Sequence, residues 1–221
     1  MFEITVSPVF KDKCPDFRGV ALYASVNNTT YCEALWNEIN DFTKELLSTS
    51  KIEDIKQQSA IAATREGYKK CGKDPARYRV SSEALRRRLL RGLELYQIDT
   101  LVDLVNLVSL RTGYSIGGFD ADKIQGNRIE LGIGRNEEPY EGIGRGMLNI
   151  ENLPVYRDAI GGIGTPTSDN ERTKMDVSTK HILTIINGYD GGEHLPEAVE
   201  MMQNTVAEYA EGKDFEIIYF K

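Results

Sequence analysis

The chain is 221 residues long, 40% hydrophobic, and carries a formal net charge of −7 with a pI near 5.1. That length can bury one sizeable core, so a single domain over residues 1–221 is expected, and the acidic balance excludes a general DNA or RNA coat protein, which depends on many Lys and Arg contacts to phosphate. No apolar run approaches the roughly 20 residues of a bilayer span, and the segment Met1 to Val6 lacks a basic region leading into an apolar one, so a cytoplasmic protein without a membrane partner is expected.

The alternating start from Phe2 to Phe10 and the run Arg18 to Val26 read as a pair of strands, ended by Asn27-Asn28. From Glu33 to Leu47, Leu35, Ile39, Phe42 and Leu46 recur at helical spacing on one face. A second helix is expected from about Ile52 to Cys71, with Gly72 placed to end it. Ser81 and Ser82 offer hydroxyl caps ahead of Glu83 for a third helix, running to about Gly92. Thr100 to Asp103 fits a capping box for a fourth, which buries Leu101, Leu104, Val105 and Val108 and ends at Gly113.

Beyond Gly113 the texture changes to short runs such as Arg128 to Ile133 and His181 to Ile186, broken by glycines and read as strands. Glu197 to Ala210 reads as a late helix, with Val199, Met202 and Val206 inward, and Phe215 to Phe220 as a closing strand. Helices early and strands late predict an α+β fold, a helical N-terminal half packed on a mixed β-sheet core.

The chemistry-bearing residues are sparse. Cys14, Cys32 and Cys71 show no zinc or redox spacing and read as reduced thiols, and His181 and His194 sit in no ligand cluster, so neither a metal nor another cofactor is expected. The two histidines also read as structural rather than as parts of a nucleophilic triad. Gly142-Ile143-Gly144-Arg145-Gly146 and Gly161-Gly162-Ile163-Gly164 lack the Gly-Lys-Ser/Thr ending of a phosphate loop, and turns or bulges account for them. Between Arg65 and Arg91, ten basic residues stand against three acidic ones, a local charge of +7 that leaves −14 elsewhere. Such a run is either a phosphate-facing surface or a solvated helix face, and it is expected to be largely exposed. Asp99, Asp103 and Asn106 share one face of an apolar helix, where the asparagine can hold a substrate amine, a water or a ribose hydroxyl, or simply bond a loop carbonyl.

Three segments, Ser81 to Leu89, Leu101 to Asn106 and Gly118 to Gly126, together with Glu171-Arg172-Thr173-Lys174 and Thr179, make the chain similar to the tRNA-editing domain of the phenylalanyl-tRNA synthetase β-subunit. It resembles more closely the stand-alone proteins built from that domain. The likeness covers 81–190, with 1–80 supplying strands and helices packed onto it. The resemblance implies an α+β unit that binds tRNA or aminoacyl-tRNA, not DNA, and hydrolyses a mischarged aminoacyl ester in trans; the alternative is a non-catalytic module for tRNA, an amino acid or a protein partner. It implies a pocket between the Asn106 helix, a loop near Gly117, and 161–174. Gly117 stands where the synthetase pattern commonly has histidine, and Ser115 where it has proline. The family's pocket glutamate falls on Lys174 in an ungapped match and on Glu171 with a short gap, and Glu171 is taken as the catalytic residue. Asn106, Gly117, Gly118 and Thr173 then bind substrate, Gly117 leaves extra room, and Arg86, Arg87, Arg88 and Arg91 contact tRNA.

Overall fold

A computed structural model describes residues 2–221, so of the predicted start only Met1 lies outside the described residues. The segment Phe2 to Phe10 is not one strand. Strand β1 spans Glu3–Val6, and Ser7 and Pro8 then start helix α1, Pro8–Lys13. The Ser7 hydroxyl accepts from the Phe10 amide, and a proline, lacking an N–H and fixed near helical φ, suits the first helical position. Nor do the first two strands pair with each other: β1 runs parallel to a strand beginning at Arg128, while β2, Arg18–Ser25, is a central strand of another sheet.

Helix α2 spans Glu33–Thr49. The predicted second helix breaks in two, a 3-10 turn at Ile52–Gln57 and α3 at Ser59–Cys71, because the Asp54 carboxylate folds back onto the Lys51 amide and Gln58 is extended. Gly72 ends α3 with φ at +97°, a conformation glycine adopts at little cost. Helix α4 spans Ser81–Leu90, but neither serine caps it: the Ser81 amide donates to the Pro166 carbonyl, and its hydroxyl bonds that of Ser115. Helix α5 spans Thr100–Thr112, and its cap is Asp99, one residue earlier than predicted. Asp99 accepts from the Val102 amide at 2.9 Å, whereas the Asp103 carboxylate reaches back to the Ile98 amide and takes the Trp36 indole N–H at 2.8 Å.

The remaining elements are β3 Ser115–Asp120, β4 Arg128–Ile133, β5 Glu141–Gly142, β6 Gly146–Met147, β7 Pro154–Arg157, β8 Gly162–Thr165, β9 Ser168–Asp169, β10 His181–Gly188, α6 Leu195–Tyr209 and β11 Lys213–Phe220. Gly144 and Gly146 turn the β5–β6 hairpin with φ near +65°, so the first glycine run is a turn, and the second lies in β8 beside a register irregularity. One sheet has the order β11-β2-β10-β3 and is antiparallel; the other, β1-β4-β7-β8-β9, is mixed, since only β1–β4 is parallel.

Alternation along β2 and β10 explains the layering. Val20, Leu22, Ala24, Ile182 and Ile186 face α2, α5 and α6, meeting Leu101, Leu104, Val108, Met202 and Val206. Ala21, Leu183 and Ile185 face the opposite way and meet Phe10, Ile129, Leu131 and Tyr156 of the second sheet's layer. Helices, four-stranded sheet and five-stranded sheet therefore stack in three layers, and this is an α+β fold. No helix among the described residues is long and apolar enough to cross a membrane.

Candidate functional site

The two sheets meet where β3, an edge strand, lies against β8 and β9. An edge strand presents unpaired backbone groups, and here a side chain takes up one of them while a β3 hydroxyl bonds a loop carbonyl. The Asp169 carboxylate accepts from the Gly118 amide at 3.1 Å, and the Ser115 hydroxyl bonds the Pro166 carbonyl at 3.3 Å. The turn that carries Asp169 is itself fixed: Thr165 Oγ1 accepts from the Thr167 and Ser168 amides, the Tyr140 hydroxyl donates to the Ser168 carbonyl, and the Asp169 carbonyl accepts from the Ile143 amide. Gly117 and Gly118 thus belong to a strand, not to the loop predicted from sequence.

Burial is the larger influence on Asp169 and raises its carboxyl to about 7; the single bond from Gly118 opposes that shift. Its Oδ2 takes the Gly118 amide, while Oδ1 has no protein partner among the described residues. A carboxyl that titrates near neutrality can accept or return a proton at physiological pH, and such groups concentrate at functional sites. Nothing in the spacing of Thr167-Ser168-Asp169-Asn170 marks this aspartate. Its partner is 51 positions away, so only the fold reveals it.

Asp169 Oδ1 lies beside the Cβ positions of Gly117 and Gly164, and the expected site residues of α5 lie toward the other face of β3, which Gly118 presents. A Cβ on Gly118 would meet Met175 Cε at 2.8 Å and Val105 Cγ2 at 3.5 Å, so α5, β3 and the segment after Lys174 converge there. Asn106, next to Val105, is half-buried, and its carboxamide makes no hydrogen bond to another described residue. Asp99 and Asp103, its partners in the predicted polar stripe, are buried and used at the helix start; burial raises Asp103 to about 6 against its two hydrogen bonds.

Other expectations need correction. Gly117 opens no space, because a Cβ there would lie 2.7 Å from the Phe119 ring, which also covers Gly164. Thr173 is fully buried, and its hydroxyl donates to the Ile163 carbonyl at 3.4 Å. Glu171 begins a 3-10 turn, Glu171–Thr173, capped by Asn170, and its carboxylate forms an ion pair with Lys174, so the two alternatives for the pocket glutamate are bound to each other. Motif residues that carried the resemblance also serve the fold: the Asp120 carboxylate accepts from the Thr179 hydroxyl at 2.9 Å and lies 3.3 Å from the Lys123 amine.

The basic segment is not largely exposed. Lys73 is buried, with its amine on the Asn149 and Glu151 carbonyls, and Arg86 is buried with its guanidinium on the Leu110 carbonyl. Arg65 and Arg87 close on the buried Glu83 carboxylate at 2.7 and 2.8 Å. Arg88 stacks on Tyr96 with its guanidinium carbon 3.9 Å from the ring centroid. Lys69, Lys70, Arg77 and Arg91 are the exposed members.

Residues 63–210 match the B3/4 domain family, spanning α5, β3 and the Asp169 turn. The fold is similar to the crystal structure of an N-terminal fragment of the phenylalanyl-tRNA synthetase beta-subunit from Pyrococcus horikoshii, with a TM-score of 0.54 at 14% identity, covering 100% of this chain and 52% of that one. The chain thus spans about half the length of that fragment, and the likeness is one of fold. No curated protein sequence matches it significantly.

Proposed function

The chain belongs to the B3/4 domain family, and on that premise we propose that it binds the aminoacylated end of a tRNA and hydrolyses a wrongly attached amino acid in trans. The observation that carries this reading is the Asp169 carboxylate, held at the seam of the two sheets by the Gly118 amide on Oδ2, with Oδ1 unbonded among the described residues; burial pushes its carboxyl up to about 7. An aminoacyl ester is an activated bond. Its hydrolysis needs an oriented water, an acceptor for the water's proton, and a donor for the developing oxyanion. Asp169 Oδ1 supplies the acceptor, and the carboxamide of Asn106 is free to hold the amino group or a ribose hydroxyl. The Gly118 amide, expected to bind substrate, instead orients Asp169. Glu171 holds the Lys174 amine on Oε1, and the positive charge beside it makes it the poorer acceptor of a water's proton. The tRNA body would meet the exposed cations Lys69, Lys70, Arg77 and Arg91 in the cytoplasm.

The test is a panel of mischarged tRNAs, following loss of the aminoacyl bond with the unmodified protein, Asp169→Asn and Glu171→Gln. Asp169→Asn is expected to slow hydrolysis by about 100-fold without weakening tRNA binding, and Glu171→Gln by much less. The reverse order would return the catalytic role to Glu171. A non-catalytic binding module remains the second reading, favoured by the Glu171–Lys174 ion pair and by the Phe119 ring filling the space beside Gly117. Binding without cleavage of any substrate in the panel would establish it.

A further inference from the structure

Cys14 closes α1 and Cys71 closes α3, and the two helices pack together. The Lys13 amine donates to the Lys70 carbonyl at 3.2 Å, tying the residue before one cysteine to the residue before the other. Both side chains lie in the apolar cluster that contains Phe10 and Phe17, at the packed ends of α1 and α3. Cys14 also lines an open cavity of about 300 Å³, together with Lys11, Asp12, Pro15, Arg18 and Lys221; it is 6% exposed, and Cys71, outside that lining, is 2% exposed. Cys32, the third cysteine, is more accessible but belongs to a different cluster, beside α2, with no thiol partner.

We infer that Cys14 and Cys71 form an oxidative modification site, in which hydrogen peroxide entering the cavity converts the two thiols into a disulfide joining α1 to α3. The thiol of Cys71, followed by the charges of Lys70 and Lys13, pulls the Cys14 thiol pKa down against its burial, and the Cys71 thiol is correspondingly raised. Cys14 lines the cavity and Cys71 does not, so Cys14 is the attacking sulfur. Its thiolate attacks one peroxide oxygen, the O–O bond breaks, and hydroxide leaves to be protonated to water, giving a sulfenic acid on Cys14. Cys71 sulfur then attacks the Cys14 sulfur, the S–O bond breaks, and a second water leaves with the Cys71 proton. Two thiols lose two electrons in all, and the peroxide is reduced to two waters.

Exposure alone predicts that Cys32 reacts first; the paired geometry predicts the opposite, and this separates the two accounts. The full chain is treated with one equivalent of hydrogen peroxide and analysed by intact mass and non-reducing peptide mapping. The expected product is lighter by two hydrogens, carries a Cys14–Cys71 link, and retains an alkylatable Cys32. In Cys71→Ser a dimedone adduct should form at Cys14, and in Cys14→Ser neither adduct nor link should form at a comparable rate. The linked protein should melt higher by roughly 5–10 °C and return to the original midpoint on reduction. Prior oxidation of Cys32, or a persistently free Cys14 and Cys71 in the unmodified chain, would overturn the inference, and neither observation depends on whether a variant folds.

Discussion

One hydrogen bond, from the Gly118 amide, is a poor exchange for the water that a carboxylate loses on burial, and Asp169 is accordingly raised to about 7. The native state therefore holds this proton more tightly than the unfolded chain. Asp169 lends its full stability below the unfolded value near 4, and that contribution is lost as pH rises through about 7. Asp169→Asn, whose amide oxygen can still accept from Gly118, should flatten this part of the stability profile and add about 1–2 kcal/mol above pH 7. Urea midpoints at pH 5 and pH 8 measure it, and an unchanged pH dependence would remove Asp169 as the titrating group. A variant that gains stability while losing hydrolysis also separates a chemical role from a structural one. Gly117 makes a second residue-level case. With the Phe119 ring 2.7 Å from its would-be Cβ, Gly117→Ala should cost about 1–3 kcal/mol in chemical unfolding, and Phe119→Leu in the same chain should recover part of it. From sequence, Gly117 reads as an emptied site position, because the ring that fills it is invisible until β3 and β8 are side by side. Asn106 is legible for the opposite reason: its position on α5 follows from helical spacing alone.

Helix α4 shows what local pattern does and does not reveal at the scale of an element. Its span is readable from helix formers and the acid in its first turn, but its start depends on the Pro166 carbonyl, 85 positions on, which accepts the Ser81 amide. The arginines that look like a solvated basic face are drawn inward by Glu83, whose side chain is 1% exposed and which binds Arg65 and Arg87, with Arg79 at 3.7 Å. A buried carboxylate among three guanidiniums fixes how α3 and α4 pack, and deleting it leaves unpaired cations in a poorly solvated place. Glu83→Ala is expected to lower unfolding free energy by about 3–5 kcal/mol, measured by urea denaturation. A change below about 1 kcal/mol would show that water screens the cluster. The same packing explains why Arg87 is a poor probe of nucleic-acid contact: its replacement disturbs the Glu83 cluster before it removes a surface charge.

For the whole molecule, the α+β class follows from early helices and late strands, whereas the three-layer arrangement depends on pairings that no local pattern carries. Glu3 of β1 pairs with Arg128, and β2 is enclosed by two strands that both come from the last part of the chain. Charge polarity survives the correction of the basic segment, but in reduced form. Within that segment only Lys69, Lys70, Arg77 and Arg91 remain exposed to meet a phosphate backbone, on a chain whose net charge is −7. Few contacts imply weak binding and a shallow salt dependence, since each phosphate neutralised adds about 0.7–0.9 to the slope of log K against log salt. A tRNA titration of the unmodified chain is therefore expected to give a slope no steeper than about −4, and Arg77→Glu with Arg91→Glu should weaken binding at low salt and flatten the slope by about 1.5. Arg77 and Arg91 make no ion pair among the described residues, so the double variant should fold as the parent does, and its melting curve checks this directly. If the double variant binds tRNA with unchanged affinity and slope, the contact lies on another face, and the exposed cations between Lys69 and Arg91 are an ordinary solvated surface.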